Sequence, residues 1–230
     1  MGNLFLNNKT PRYPSSAFYR IVTPIFIDSD RIIYLDGDTL IFSDLNNMYN
    51  LDFNDCYILG IYDFNSDGVD YLGLKSNIYI NTGVTLFNLK KMREDNKIIG
   101  FINITRRNIN LKHVDQTVLN YVLYPKIGRL PSIYGIFNFA DKSDMNIYLK
   151  RLRTKITIAE LEEAIKNPVV IHTILCNPKV WFSKTIFMKK YTNCSKKNNC
   201  SCRKYFDLWN SFAKRTEYYE EVSKFPNIKI

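Results

Sequence analysis

The sequence predicts an α/β fold, and three features of the 230-residue chain support that prediction. With 46% hydrophobic and 14% aromatic residues, the chain can bury one sizeable core, and wholesale disorder is excluded. Runs of β-branched and aromatic residues predict buried strands at 31–35, 56–62 and 84–87. Apolar residues at helical spacing predict amphipathic helices at 113–123 and 158–166, the second capped by Thr157 with Glu160 three residues on. A further helix is predicted at 90–97 and a turn at 81–83. We therefore expect strands and helices to share one α/β domain.

The sequence lacks the pattern of a membrane-spanning helix or a signal peptide, and its cysteines do not suggest disulfide bonds. No run of about 18 uninterrupted apolar residues occurs, and residues 1–20 lack the apolar core of a signal peptide. We expect a cytoplasmic protein. Its five cysteines are odd in number and irregularly spaced, which favours reduced thiols. Cys194, Cys200 and Cys202 do not have a usual zinc spacing, so they do not predict a zinc site.

The net charge of +10 is unevenly distributed. Residues 169–206 contain no acidic residue but eight basic ones, namely Lys179, Lys184, Lys189, Lys190, Lys196, Lys197, Arg203 and Lys204. Such a segment attracts anionic lipid, nucleic acid or phosphorylated substrates, or it forms an ordinary solvated face. Because it matches no recognised nucleic-acid module, we expect no nucleic-acid partner.

Two aspartates follow the strand predicted at 31–35, where functional loops of α/β sheets are found. In Asp36-Gly37-Asp38, the flexible middle residue lets the two carboxylates converge. Mg²⁺ and Mn²⁺ prefer oxygen ligands and commonly take one or two carboxylates together with phosphate and water. The spacing therefore suits a cation shared with a nucleotide diphosphate, although Asp-Gly-Asp is also a common turn.

Three segments together resemble glycosyltransferase family 8. They are YLDGDTLIF at 34–42, YINTGVTLFNLKKMR at 79–93 and DQTVLN at 115–120. This family includes bacterial lipooligosaccharide galactosyltransferases and glucosyltransferases and the glycogenin-type enzymes. The order and approximate separations of the segments also agree, and the resemblance covers roughly residues 15–222.

The resemblance implies a GT-A fold, in which a mixed, Rossmann-like sheet is flanked by helices. It implies one family 8 domain over residues 1–230, with a core at about 15–182 and a basic, aromatic, helical extension at 183–230. The implied activity is retaining transfer of a hexose from UDP-glucose or UDP-galactose, with Mn²⁺ or Mg²⁺ as the metal. The implied acceptor is a saccharide, such as lipopolysaccharide, another cell-surface glycan or a lipid-linked sugar.

Ten positions match functional residues of the family. They are Asp36, Asp38 and His172 for the metal; Arg20, Asp63, Lys179 and the turn residues Asn81 and Gly83 for the donor; and Asp115 and Gln116 for catalysis. One segment departs from the family, which usually shows His-x-x-Gly-x-x-Lys-Pro-Trp. Here the segment from His172 to Trp181 is one residue longer and has no glycine.

The N-terminus also departs from the family pattern. Family members begin with a βαβ unit that holds uridine and ribose, and such a unit needs ~30 residues or more. Ser15 already matches the end of that region, so we expect a member truncated at its N-terminus. The alternative function is a catalytically inactive remnant that acts as a binding or scaffold protein.

The C-terminal region suggests where the protein acts. Its basic residues alternate with aromatic ones, including Trp181, Phe182, Phe187 and Tyr191. A cationic, aromatic surface can rest on an anionic membrane. We therefore expect peripheral association with the inner face of the membrane.

Overall fold

A computed structural model describes residues 15–63, 78–106, 113–137, 146, 148–150, 156–174 and 201–223. Its strands are β1 (Arg31–Leu35), β2 (Thr39–Ile41), β3 (Ile58–Tyr62), β4 (Ile80–Asn88), β5 (Ile127–Arg129), β6 (Ile136–Phe137) and β7 (Val170–His172). Its α-helices are α1 (Thr23–Phe26), α2 (Asn46–Tyr49), α3 (Leu89–Glu94), α4 (Lys97–Arg106), α5 (Val114–Leu123), α6 (Ile158–Lys166), α7 (Ser201–Ala213) and α8 (Tyr219–Ser223). A 3₁₀-helix at Ser15–Val22 precedes α1.

The chain divides into two compact units. Unit 1 comprises residues 1–35 and 44–132, and unit 2 comprises residues 36–43 and 133–230. The first aspartate of the Asp-Gly-Asp triplet therefore begins unit 2, directly after the last residue of β1.

Unit 1 contains a mixed four-stranded sheet in the order β1-β4-β3-β5. β4 runs antiparallel to both of its neighbours, whereas β5 runs parallel to β3. All five residues of β3 and the first eight of β4 are buried, so these strands form the centre of the core. α5 packs against β4 and α4, burying Val118 and Leu119. Burial of each such side chain contributes about 1.5–3 kcal/mol.

β4 contains a register shift that matters for the candidate site. Gly60 lies opposite Thr85, but the next residue, Ile61, lies opposite Asn81. Residues 82–84 therefore have no partner in β3 and form a bulge. The turn predicted at 81–83 is wrong, because these residues lie inside one continuous strand.

Most predicted helices are present, and their ends have local causes. Thr157 caps α6 by accepting a hydrogen bond from the backbone N–H of Glu160 at 3.1 Å, as a capping box requires. The helix expected at 90–97 is instead two helices. Asn96 separates α3 from α4, because its φ of 49° lies in the left-handed region and interrupts the helix.

Unit 2 contains a three-stranded sheet in the order β2-β7-β6. β2 is antiparallel to β7 and β6 is parallel to it. Residues 175–200, which carry most of the basic segment and Lys179, lie outside the described residues. Within the part of the chain that the structure describes, no helix is long and apolar enough to cross a bilayer.

We predict that Gly60→Ala destabilises the protein. A Cβ atom at Gly60 would lie 2.7 Å from Cδ1 of Ile80 and 3.2 Å from the carbonyl oxygen of Asn81. Overpacking of this kind costs about 1–3 kcal/mol. The free energy of unfolding, measured by urea denaturation, should fall by that amount.

Gly37→Ala is the matched control, because a Cβ atom there meets no atom within 4 Å. Its free energy of unfolding should stay within about 0.5 kcal/mol of the unsubstituted chain. Equal stability of the two variants would contradict the close approach of β3 and β4.

Candidate functional site

The Asp-Gly-Asp loop in unit 2 is held by threonine hydroxyls and backbone N–H groups. Thr39 donates to the carbonyl oxygen of Asp36 from its backbone nitrogen at 3.2 Å and from its hydroxyl at 2.8 Å. Thr173 donates in the same way to the carbonyl oxygen of Asp38, at 2.8 and 2.7 Å. The antiparallel pairing of β2 with β7 also places Thr39 opposite His172. Both loop carbonyls are thus fixed.

The side chains of this loop converge on His172. The Nε2 atom of His172 lies 3.0 Å from Oδ1 of Asp38 and 3.8 Å from Oδ2 of Asp36. The imidazole is 1% exposed, whereas the Asp36 carboxylate is 28% exposed and remains accessible to a ligand. Phe137, whose ring centroid is 6.1 Å from that of the imidazole, packs beside it. We call these three residues the Asp-Asp-His cluster.

The Asp-Asp-His cluster fits a divalent cation. One ligand atom from each residue lies within 4.8 Å of the other two. A cation with ligand bonds of about 2.1 Å separates its ligand atoms by roughly 3–4 Å, so small side-chain movements complete the geometry. Carboxylates and imidazole are both common ligands of divalent metal ions. The same contacts also describe a simple hydrogen bond between His172 and Asp38.

A second group of predicted residues meets in unit 1, and four elements position it. The 3₁₀-helix supplies Arg20, and the residue after β3 is Asp63. β4 supplies Asn81 together with bulge residues 82 and 83, and the first turn of α5 supplies Asp115 and Gln116. We call these residues the amide cluster, because the side-chain amide of Gln116 joins three of them, Asp63, Asn81 and Thr82.

Gln116 makes three hydrogen bonds in the amide cluster. Its Oε1 accepts from Nδ2 of Asn81 at 3.2 Å and from the backbone N–H of Thr82 at 3.3 Å. Its Nε2 donates to Oδ2 of Asp63 at 2.8 Å. These partners fix the amide orientation, because a flipped amide would set its oxygen against the Asp63 carboxylate.

Arg20 links the bulge to the start of α5. Its Nε lies 2.8 Å from Oδ2 of Asp115, and both side chains are only 11% exposed. Its Nη1 donates to the carbonyl oxygen of Thr82 at 2.8 Å, and its guanidinium lies 4.2 Å from the centre of the Tyr34 ring. Asp115 is also in the first turn of α5, where the helix dipole favours a negative charge. Arg20 therefore holds both the bulge and Asp115.

Asn81 lies directly before the bulge and bonds to it. Its Oδ1 accepts a hydrogen bond from the backbone N–H of Gly83 at 2.9 Å, while its Nδ2 bonds to Gln116. Asn81 is 5% and Thr82 2% exposed, so these polar groups rely on each other rather than on solvent.

The structure thus gathers nine of the ten predicted positions into two clusters, and Lys179 lies outside the described residues. Their roles in binding and catalysis remain predictions. Residue-type patterns missed Thr82, Thr173, Tyr34 and Asn120, which contact the predicted residues. Thr82 contributes its backbone groups, which no sequence pattern marks. Asn120 lies in the matched segment 115–120, which was the available signal.

Solved glycosyltransferase structures resemble the chain. The bifunctional glycosyltransferase WbbM, at 17% identity, gives a TM-score of 0.67 over 92% of this chain and 37% of that one. The galactosyltransferase LgtC, solved with donor and acceptor sugar analogs, gives 0.58 at 19% identity, over 92% of this chain and 72% of that one. GlyE of Streptococcus pneumoniae TIGR4 gives 0.52 at 21% identity, over 77% of this chain and 46% of that one. At these identities the likeness shows the fold, and the predicted GT-A fold is confirmed.

The chain spans little more than a third of the length of WbbM. No curated protein sequence matches it significantly. The model of the family described as glycosyl transferase family 8, however, matches residues 3–185, which include parts of both units. Because this match covers well over half of the 230 residues, the chain belongs to glycosyltransferase family 8.

Proposed function

We propose that the chain is a metal-dependent, retaining hexosyltransferase that uses UDP-glucose or UDP-galactose as donor and a saccharide as acceptor. The observation that carries this proposal is the Asp-Asp-His cluster in a member of glycosyltransferase family 8. Family membership supports glycosyl transfer in general. The donor, the acceptor and the stereochemistry are the proposed part, as is the treatment of residues 1–230 as one functional domain.

Asp36, Asp38 and His172 would hold Mn²⁺ or Mg²⁺. When bound, such an ion supplies Lewis-acid stabilisation of the negative charge on a leaving diphosphate. The partial exposure of Asp36 leaves an approach for the phosphate oxygens. Lys179 would add a charge-assisted contact to the diphosphate, as the family resemblance implies.

The amide cluster would bind the donor sugar. Asp63 and Asn81 offer a carboxylate and an amide that can bond to sugar hydroxyl groups, and Gly83 lets the backbone approach the sugar closely. In our proposal Arg20 has mainly a positioning role, because its Nε and Nη1 already contact Asp115 and Thr82. Pre-organised groups of this kind lose little entropy when the donor binds.

Retention of configuration requires either a two-step displacement or attack from the face of the leaving group. In a displacement, Gln116 would be the nucleophile, but amides are weak nucleophiles. Its Oε1 also accepts hydrogen bonds from Asn81 and Thr82, which reduces its nucleophilicity further. We therefore favour same-face attack through an oxocarbenium-like transition state, with Asp115 and Gln116 stabilising the positive charge on the sugar.

The competing proposal is an inactive remnant that binds a partner or serves as a scaffold. The hydrogen bonds of the amide cluster also have a structural use, because they satisfy buried backbone groups of the bulge. Hydrolysis of UDP-glucose or UDP-galactose separates the two proposals.

Asp38→Asn should weaken Mn²⁺ binding by roughly 10-fold or more, since it removes one charged ligand. Isothermal titration of the protein with MnCl₂ measures the affinity. Glu162→Gln, an exposed substitution on α6 with the same change in charge, is the control and should bind Mn²⁺ as the unsubstituted chain does. Equal affinities for all three proteins would refute the metal assignment.

Gln116→Ala should lower metal-dependent hydrolysis of the preferred UDP-sugar by roughly 100-fold, because it removes three hydrogen bonds from the amide cluster. Release of UDP measures the rate. Asn103→Ala, an exposed substitution on α4, should keep the original rate. If the unsubstituted chain hydrolyses neither UDP-glucose nor UDP-galactose, the enzyme proposal fails and the scaffold proposal stands.

Peripheral membrane association is proposed from the basic C-terminal sequence alone. The protein should sediment with liposomes that contain anionic lipid and not with neutral ones, and 0.5 M salt should release it. A Lys189→Glu, Lys190→Glu double variant should bind anionic liposomes more weakly. Equal sedimentation with neutral and anionic liposomes would contradict an electrostatic contact.

A further inference from the structure

We propose that Asn120 is a positioning residue, which holds the β4 bulge and Gln116 in the arrangement that the donor sugar requires. This inference rests on the proposed transferase function. It adds a residue that acts through its neighbours rather than by touching the substrate.

Next to the bulge, one backbone edge of β4 lies beyond the end of its pairing with β1. On one side β4 pairs with β1, and this pairing ends where Leu35 lies opposite Val84. On the other side the backbone N–H of Asp63 donates to the carbonyl oxygen of Tyr79 at 2.9 Å, so the backbone of Tyr79 faces β3. Because successive residues of a strand point their backbone groups to opposite sides, those of Ile80 face away from β3. Within the described residues, no strand pairs with β4 on that side at Ile80.

On this side of β4, the side-chain amide of Asn120 makes the hydrogen bonds to Ile80 that a neighbouring strand would otherwise make. Its Oδ1 accepts from the backbone N–H of Ile80 at 2.8 Å, and its Nδ2 donates to the carbonyl oxygen of Ile80 at 2.9 Å. Ile80 is 0% and Asn120 1% exposed, so water does not offer an alternative partner. An amide is required, since a carboxylate or a hydroxyl does not present a donor and an acceptor in the same geometry.

The side-chain amide of Asn120 also bonds to the backbone of Gln116. Nδ2 of Asn120 donates a further bond, at 2.8 Å, to the backbone carbonyl of Gln116, one helical turn earlier in α5. Ile80 directly precedes Asn81, whose side chain bonds to that of Gln116. Asn120 therefore ties the strand just before the bulge to the helix residue that contacts the bulge. It fixes the separation between the two parts of the amide cluster.

Loss of this amide should disturb the sugar-dependent step more than the binding of the nucleotide. Asn81, Thr82 and Gln116 would lose their fixed separation, and small misplacements of reacting groups are costly in rate. The metal and the diphosphate are assigned to other residues. A change in kcat with little change in KM is therefore the signature of positioning.

The test compares Asn120→Ala with Thr117→Val. Thr117 lies on the same helix, is 1% exposed and bonds through its hydroxyl to that of Tyr79 at 3.0 Å, so both variants remove a buried hydrogen bond from α5. Two quantities are measured at a temperature where every protein is folded. They are amide hydrogen exchange over residues 80–83 and the steady-state kinetics of UDP-sugar hydrolysis.

Asn120→Ala should speed exchange over residues 80–83 by about 10-fold or more and lower kcat by about 10-fold or more, with KM changed less than about 3-fold. Thr117→Val should leave both near the original values. Faster exchange without a fall in kcat would show a purely structural role and overturn the proposal. So would an equal loss of kcat in the two variants.

Two further arms complete the test. If Asn120→Ala does not fold, Asn120→Gln replaces it in the test. The longer side chain keeps the amide but moves it away from Ile80 and Gln116, so kcat should fall. An unchanged kcat in this variant would overturn the proposal. If the unsubstituted chain has no hydrolytic activity, the proposed function fails. Hydrogen exchange then still tests the hydrogen bonds between Asn120 and the backbone of Ile80. Unchanged exchange over residues 80–83 in Asn120→Ala would show that these bonds do not stabilise β4.

Discussion

The backbone groups of the β4 bulge need hydrogen-bond partners, and much of unit 1 is arranged to supply them. Residues 82–84 have left the β3 ladder inside a buried sheet, where each unsatisfied backbone group costs about 1–3 kcal/mol. Side chains provide the missing partners. Gln116 accepts from Thr82, Arg20 donates to Thr82, and Asn81 accepts from Gly83. Residues proposed to bind the donor are therefore also structural, and substitutions there affect stability and activity together.

In unit 2, two threonines hold the loop that carries Asp36 and Asp38. Two carboxylates on one short loop repel each other when both are charged. His172 lies beside them, and the loop itself is fixed through its carbonyl groups by Thr39 and Thr173. Backbone contacts therefore fix the loop, and its two carboxylates lie near the imidazole of His172.

The sequence was informative where structure depends on near neighbours and uninformative where it depends on distant pairing. The cap formed by Thr157 and Glu160 and the strand before Asp36 follow from local patterns, and both were predicted. The bulge was not, because it depends on the close approach of Gly60 to Ile80, which lie on different strands. The break at Asn96 was also missed, since a left-handed asparagine inside a helical pattern has only a weak signal.

The candidate site shows the same division. The two carboxylates of the Asp-Gly-Asp triplet predict a cation site from residue type alone. The family resemblance supplied the other candidate site residues. Their partners, however, follow only from the fold. Arg20 and Asp115 are 95 positions apart and Asn120 and Ile80 are 40 apart, so no local pattern joins them. The sequence could therefore name the groups of the amide cluster but not the bonds between them.

The middle residue of the triplet is not required to be glycine by its surroundings. A Cβ atom at Gly37 would meet no atom within 4 Å, and the φ of Gly37 does not lie in the left-handed region that favours glycine. Neither a clash at Cβ nor the backbone conformation therefore demands glycine here. The loop can therefore accept a small side chain such as that of alanine between the two aspartates, and the constraint falls on the two carboxylates rather than on the glycine.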